Sequence, residues 1–184
     1  MSAAAAKRPV DDGGAAHLRG QRLPAVWLPA TDGTAVQLDA LRGWAAIFAH
    51  PRIARPGEQA PGGDAAWDAL PGARGCTAQA CALRDAHREL AEAGATVLGL
   101  STQSTREQVE AATRLRLPYL LLSDAALRLA TAIDLPTFTV AGVTLLRRLT
   151  LIVHDGWIEE VLYPVFPAEA AAADALERLR ALAA

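Results

Sequence analysis

Three short apolar runs alternate with two stretches of helical periodicity in the middle of this chain, and that alternation leaves few folds open. Residues 45–49, 96–101 and 119–122 have the length and apolar density of buried strands. Residues 77–94 and 105–116 repeat their apolar side chains at helical spacing. Strand, helix and strand in succession imply a parallel pair joined by a crossover. The second helix opens on Ser104 and Thr105, with Glu107 placed to complete a cap. A short helix is expected over 124–133, a hairpin from 146–153 and 157–163 around His154-Asp155-Gly156, and an Ala/Leu-rich helix from 168 onward. Near the start, residues 26–28 and 35–38 flank Asp32-Gly33, the mark of a second hairpin. The expected fold class is therefore α/β, a central mixed β-sheet flanked by helices, as one domain over residues 21–184 with an N-terminal hairpin extension. Residues 1–20 are rich in Ala, Gly and charge and read as a disordered tail, with order beginning near Leu23.

With 184 residues the chain can bury a core without disulfide staples. The formal net charge of −2 is spread along the sequence, without the basic stripe that attracts phosphate backbones, so nucleic acid is not an expected partner. The N-terminus has no apolar core segment before a cleavage-like site, and no run approaches the roughly 20 apolar residues of a membrane helix. A cytoplasmic location is expected. In that reducing compartment a pair of cysteines points to a transient, functional disulfide rather than a staple.

Cys76 and Cys81 are the only cysteines, and they lie where a glycine-rich loop, Pro71-Gly-Ala-Arg-Gly75, runs into the helical stretch 77–94. A thiol in the first turn of a helix faces unpaired N–H groups and the positive end of the backbone dipole, which favours its thiolate. On a helical wheel Leu83, Ala86, Leu90 and Ala93 form the apolar face; Cys76 falls on its edge and Cys81 points outward. Within one helix their Cα atoms would stand roughly 8.6 Å apart, beyond the limit of about 7 Å for a disulfide. Bonding between them requires the helix start to unwind. Between the strand 45–49 and Cys76 runs a Pro/Gly-rich connection, residues 52–72, far longer than the usual about 2–6 residues and thus a candidate lid, with Trp67 its one large apolar anchor. The four residues between the cysteines depart from the Cys-x-x-Cys of thioredoxin-type oxidoreductases. His17, His50, His87 and His154 are scattered, so no metal site is expected. No cofactor is implied.

The segment Gly75-Cys76-Thr77-Ala-Gln79-Ala80-Cys81-Ala-Leu83-Arg84-Asp85 resembles the active-site helix of the bacterioferritin comigratory protein, or peroxiredoxin Q, group of peroxiredoxins. Residues 97–102, 117–124 and 148–156 resemble further segments of that group in the same order, so the likeness covers about residues 23–183. The resemblance implies a thioredoxin-like fold and thiol peroxidase activity. It implies Cys76 as the thiolate that attacks peroxide, Cys81 as the thiol that resolves the resulting sulfenic acid, and Arg148 as the cation beside the thiolate, with Pro51, Gly75, Thr77 and His50 about the substrate pocket. A hydroperoxide substrate and a thioredoxin-like or glutaredoxin-like reductant would be its partners, with the chain a monomer or a dimer. Two departures stand out. The family's Thr three residues before the cysteine is Ala73 here, and its Pro is matched by Pro51, displaced by the insertion. Arg52, Arg55, Arg74 and a backbone N–H are the candidates to replace the missing hydroxyl. A redox-responsive binding protein and an inert redoxin domain are the alternatives on the same fold.

Overall fold

The computed structural model describes residues 7–183. Its centre is a five-stranded sheet in the order β5-β4-β3-β8-β9, formed by β3 (Trp44–Ala49), β4 (Ala95–Ser101), β5 (Leu120–Ser123), β8 (Leu149–His154) and β9 (Trp157–Leu162). β3 pairs parallel with β4, and β4 with β5, while β3–β8 and β8–β9 are antiparallel. The mixed sheet expected from the alternation is thus present. Successive side chains of a strand point to opposite faces, and β3 divides accordingly. Ala45, Ile47 and Ala49 enter one core with Leu98, Leu100, Leu151 and Val153, whereas Ala46 and Phe48 enter the other with Val97 and Ile152. The second core is covered by α2 (Cys76–Asp85), α3 (His87–Glu92) and α6 (Ala171–Leu182), which supply Leu83, Leu90, Leu176 and Leu179.

The hairpin of β1 (Trp27–Pro29) and β2 (Ala35–Gln37) forms as expected and reaches the sheet edge, where Ala30 bridges to Leu122. Helix α4 (Thr105–Leu115) opens with a complete capping box: the Ser104 hydroxyl accepts from the Glu107 N–H, and the Glu107 carboxylate accepts from the Ser104 N–H. Helix α5 (Arg128–Ala132) lies inside the expected stretch 124–133.

The disordered tail expected over residues 1–20 is corrected by the packing. Residues 1–6 lie outside the described residues, but Leu18 is fully buried and Ala15 nearly so in the first core. A leucine buried to this degree contributes about 1.5–3 kcal/mol, and the Ile158 carbonyl accepts from the Gly20 N–H. The helix expected over 77–94 is two helices, because Ala86 takes φ −91° and ψ 0° between α2 and α3. The strand expected over 146–153 likewise divides. Leu146 ends β7 (Val143–Leu146), which pairs with β6 (Thr137–Val140), and Arg147 and Arg148 separate it from β8. The connection over 52–72 contains one short helix, α1 (Asp64–Asp68), whose Trp67 is buried with Ala73 and Leu145 and lies against Phe138.

Candidate active site

β3 ends at Ala49, and the chain turns through His50 and Pro51 at the C-terminal edge of the sheet, where open α/β sheets gather their ligands. The next residue brings its backbone to the thiol: the Arg52 N–H lies 3.4 Å from Cys76 Sγ. That turn is held by Gln103, just beyond β4, whose carboxamide accepts from the Ile53 N–H at 2.8 Å and donates to the Ile53 carbonyl at 3.1 Å. Gln103 is itself buried, and its own carbonyl accepts from the Ser123 hydroxyl.

The insertion returns to the site through α1. Arg74 is clamped by Asp68 at 2.6 Å and Asp64 at 3.0 Å, which ties the loop before α2 to α1. Gly75 then adopts φ +101°, a left-handed backbone that favours glycine, and a Cβ there would stand 2.7 Å from that of Ala168. This residue serves as N-cap without offering a side-chain acceptor, so the first-turn N–H groups of α2 stay available to negative charge at Cys76. Cys76 is 4 % exposed. Its thiol faces the Ala73 carbonyl at 3.7 Å.

Arg148 completes the arrangement from the break between β7 and β8. Arg148 is 4 % exposed, so it is buried in the site and not a surface charge. One nitrogen donates to Gly72 O at 3.2 Å and Arg74 O at 3.0 Å and lies 3.3 Å from Cys76 Sγ. The other donates to the Gln79 side-chain oxygen. Among the described residues no carboxylate pairs with Arg148, although Arg52 is paired with Glu58, Arg55 with Glu110, and Arg74 with Asp64 and Asp68. A buried cation without a counterion is costly, and the ionisable group in contact with Arg148 is the Cys76 thiol. Of the candidates for the missing hydroxyl, the Arg52, Arg55 and Arg74 side chains each pair with a carboxylate, and the Arg52 backbone N–H lies 3.4 Å from the sulfur.

A cleft of about 330 Å³ opens over Cys76, walled by the insertion residues Ala60, Pro61 and Trp67 on one side and by Gly75 and Thr77 on the other. Thr77 is exposed at this entrance. Pro51 is buried beside Arg148 and adjoins a separate small cavity rather than this cleft. Cys81 is half-buried rather than outward-facing. It lies near Tyr119, whose phenol is pushed up by burial and then by Cys81, and near Arg84. The Leu115–Tyr119 segment packs against α2 there: the Leu115 carbonyl accepts from Arg84, and the Tyr119 hydroxyl donates to the Ala80 carbonyl.

His50 is buried on the inner side of the site. Burial, then the nearby Arg148 charge, lowers its pKa to about 4, against a backbone hydrogen bond at Phe48 that favours protonation. The unfolded chain therefore binds a proton that the native ring refuses between pH 6.5 and about 4, and stability must rise with pH across that window. Acidification through this window is expected to remove up to about 3 kcal/mol. Denaturant titrations of the parent and of His50→Gln check it: the variant's stability should fall less steeply over the same pH range.

Gln79 and Gln103 are the site residues that sequence reasoning missed. Gln79 carried a signal, since a polar residue one turn after Cys76 on the apolar side of α2 needs a buried partner. Gln103 carried only its position just after a strand.

The family model for Redoxin matches residues 18–177. Peroxiredoxin Bcp of Bacillus subtilis is 29% identical over 116 residues, 62% of this chain and 62% of that protein. A Coxiella burnetii protein named "Putative peroxiredoxin bcp" is 32% identical over 106 residues, 57% of this chain and 58% of its own length. The chain thus aligns with somewhat less than two thirds of either relative. The crystal structure of peroxidoxin BcpB from Mycobacterium tuberculosis superposes with a TM-score of 0.71 at 28% identity, covering 89% of this chain and 97% of that one. A peroxiredoxin Q of Xanthomonas campestris gives 0.70 at 24%, covering 88% and 96%, a likeness of fold. With its mixed sheet, its thioredoxin-like architecture and a cysteine at the first turn of α2, the chain belongs to the redoxin family, among the peroxiredoxins of the Bcp and Q group.

Proposed function

We propose that the chain is a thiol peroxidase that uses Cys76 to reduce hydrogen peroxide or an alkyl hydroperoxide. The observation that carries this reading is the buried, carboxylate-free Arg148 guanidinium 3.3 Å from Cys76 Sγ, with the Arg52 N–H at 3.4 Å. The Cys76 thiolate attacks the terminal peroxide oxygen, the O–O bond breaks, and the leaving alkoxide or hydroxide takes a proton, leaving a sulfenic acid on Cys76. Arg148 and the Arg52 N–H are fixed donors for the charge that moves from sulfur to oxygen. Gly75 and Thr77 shape the entrance, and Pro51 and His50 carry the chain from β3 to the Arg52 donor.

Cys81 then attacks the sulfenic sulfur, water leaves, and a disulfide forms. Both cysteines lie within the ten-residue helix α2, so its first turn must open for them to meet. A thioredoxin-like or glutaredoxin-like dithiol returns the disulfide to two thiols, in keeping with a reducing cytoplasm. A relative from Xanthomonas campestris, 22% identical, is described for alkyl peroxide reduction. Consumption of NADPH through thioredoxin reductase and thioredoxin, dependent on both peroxide and this protein, tests the cycle. Its absence with thioredoxin and with glutaredoxin alike would reject the dithiol-coupled reading.

A further inference from the structure

Beside Cys76, and sharing only that residue with the open cleft, a small chamber is walled by Phe48, Leu83 and Leu121 and touched by Cys76, His50 and Gln79. It leaves a water-sized centre about 10 Å³ of freedom, enough for one oxygen atom and little more. Two buried polar atoms of its lining residues, His50 Nε2 and Gln79 Nε2, have no hydrogen-bond partner among the described residues. His50 and Gln79 are 4 % and 1 % exposed, so bulk water does not satisfy them. Leaving such groups unpaired is costly.

The two atoms are complementary. Arg148 can only donate, so the Gln79 atom facing it is the oxygen, and the unpaired end of that amide is an N–H donor. The His50 ring makes a backbone hydrogen bond at Phe48 of the kind that favours its protonated form, a bond from a ring N–H to a carbonyl. Nε2 has no partner, so that bond belongs to Nδ1 and Nε2 presents a bare lone pair. A donor and an acceptor thus flank a one-oxygen space beside the sulfur.

We propose that this chamber is the binding site for the hydroxyl of the Cys76 sulfenic acid, which donates to His50 Nε2 and accepts from Gln79 Nε2–H. The inference rests on the peroxidase reading above. A sulfenic acid held by its own O–H stays neutral. Over-oxidation proceeds through the sulfenate, whose sulfur attacks a second hydroperoxide, breaks its O–O bond and releases alcohol or water as sulfinic acid forms. The chamber therefore protects the intermediate until the first turn of α2 opens and Cys81 approaches.

The test uses the Cys81→Ser protein, in which the sulfenic acid persists, treated with rising hydrogen peroxide and followed by intact mass. Formation of sulfinic acid is normalised to each protein's own rate of first oxidation. Adding His50→Leu is expected to raise that ratio roughly five- to tenfold, the effect of one lost hydrogen bond, and His50→Gln to restore most of it. An unchanged ratio overturns the proposal and leaves the chamber a site for water alone. Should His50→Leu fail to fold, the ¹⁵N signal of His50 Nε2 in the Cys81→Ser protein decides. It should shift on adding one equivalent of peroxide, and a stationary signal overturns the proposal. Absence of a fast first oxidation in every protein would instead reject the peroxidase reading itself.

Discussion

Exchange of Arg148 for leucine is expected to slow the reaction of Cys76 with hydroperoxide by about 10²–10³-fold, the usual effect of removing one preorganised donor from developing charge. Arg148 holds the Gly72 and Arg74 carbonyls and the Gln79 side chain while facing the sulfur. It both positions the loop before α2 and supplies the positive charge beside the thiol. Leucine leaves those acceptors buried and unpaired, at roughly 1–3 kcal/mol each where water cannot reach them. The variant should therefore also unfold at lower denaturant, and its kinetics belong under conditions where circular dichroism shows it folded. Lysine retains a charge but has no planar fork to span these acceptors at once, so Arg148→Lys should recover only part of the rate. A stopped-flow rate for folded Arg148→Leu equal to the parent's would remove Arg148 from the chemistry.

Cys81→Ser is expected to abolish turnover with a dithiol protein reductant while leaving the first oxidation of Cys76 in place. The intact mass should then show the gain of one oxygen, and of a second at higher peroxide, instead of the loss of two hydrogens. The reason is spatial: Cys81 is the only other thiol in the chain, and it shares α2 with Cys76. Opening the first turn requires release of the Arg52 and Arg148 contacts to the sulfur, which exist only while Cys76 is folded into the site. Undiminished steady-state turnover of Cys81→Ser would assign resolution to another thiol.

How much of this was legible in the sequence depended on whether a feature was local. The sheet strands were, because runs such as 45–49 are apolar enough to be buried on both faces of the sheet, and the start of α4 was, because a capping box lies within four residues. The cysteine pair was legible through spacing and the glycine-rich loop. Leu18 was not, since one leucine among small and charged residues has no periodicity to mark its place in the core. Helix α1 was hidden by its five-residue length, and the break between β7 and β8 by apolar residues on either side of Arg147-Arg148. The site itself is the least local part. Arg148 meets Cys76 across 72 positions, and Gln103 meets Ile53 across 50, contacts set by the order of strands in the sheet and by no pattern along the chain.

The central claim is that Cys76 is a peroxide-reactive thiolate that closes a disulfide with Cys81. The direct measurement is stopped-flow reaction of the fully reduced protein with hydrogen peroxide, with intact mass and thiol count of the product, beside Cys76→Ser. Rapid loss of both thiols and of two hydrogens, abolished by Cys76→Ser, is the expected result. Reaction no faster than that of a free thiol, or equal reaction in the variant, would contradict it.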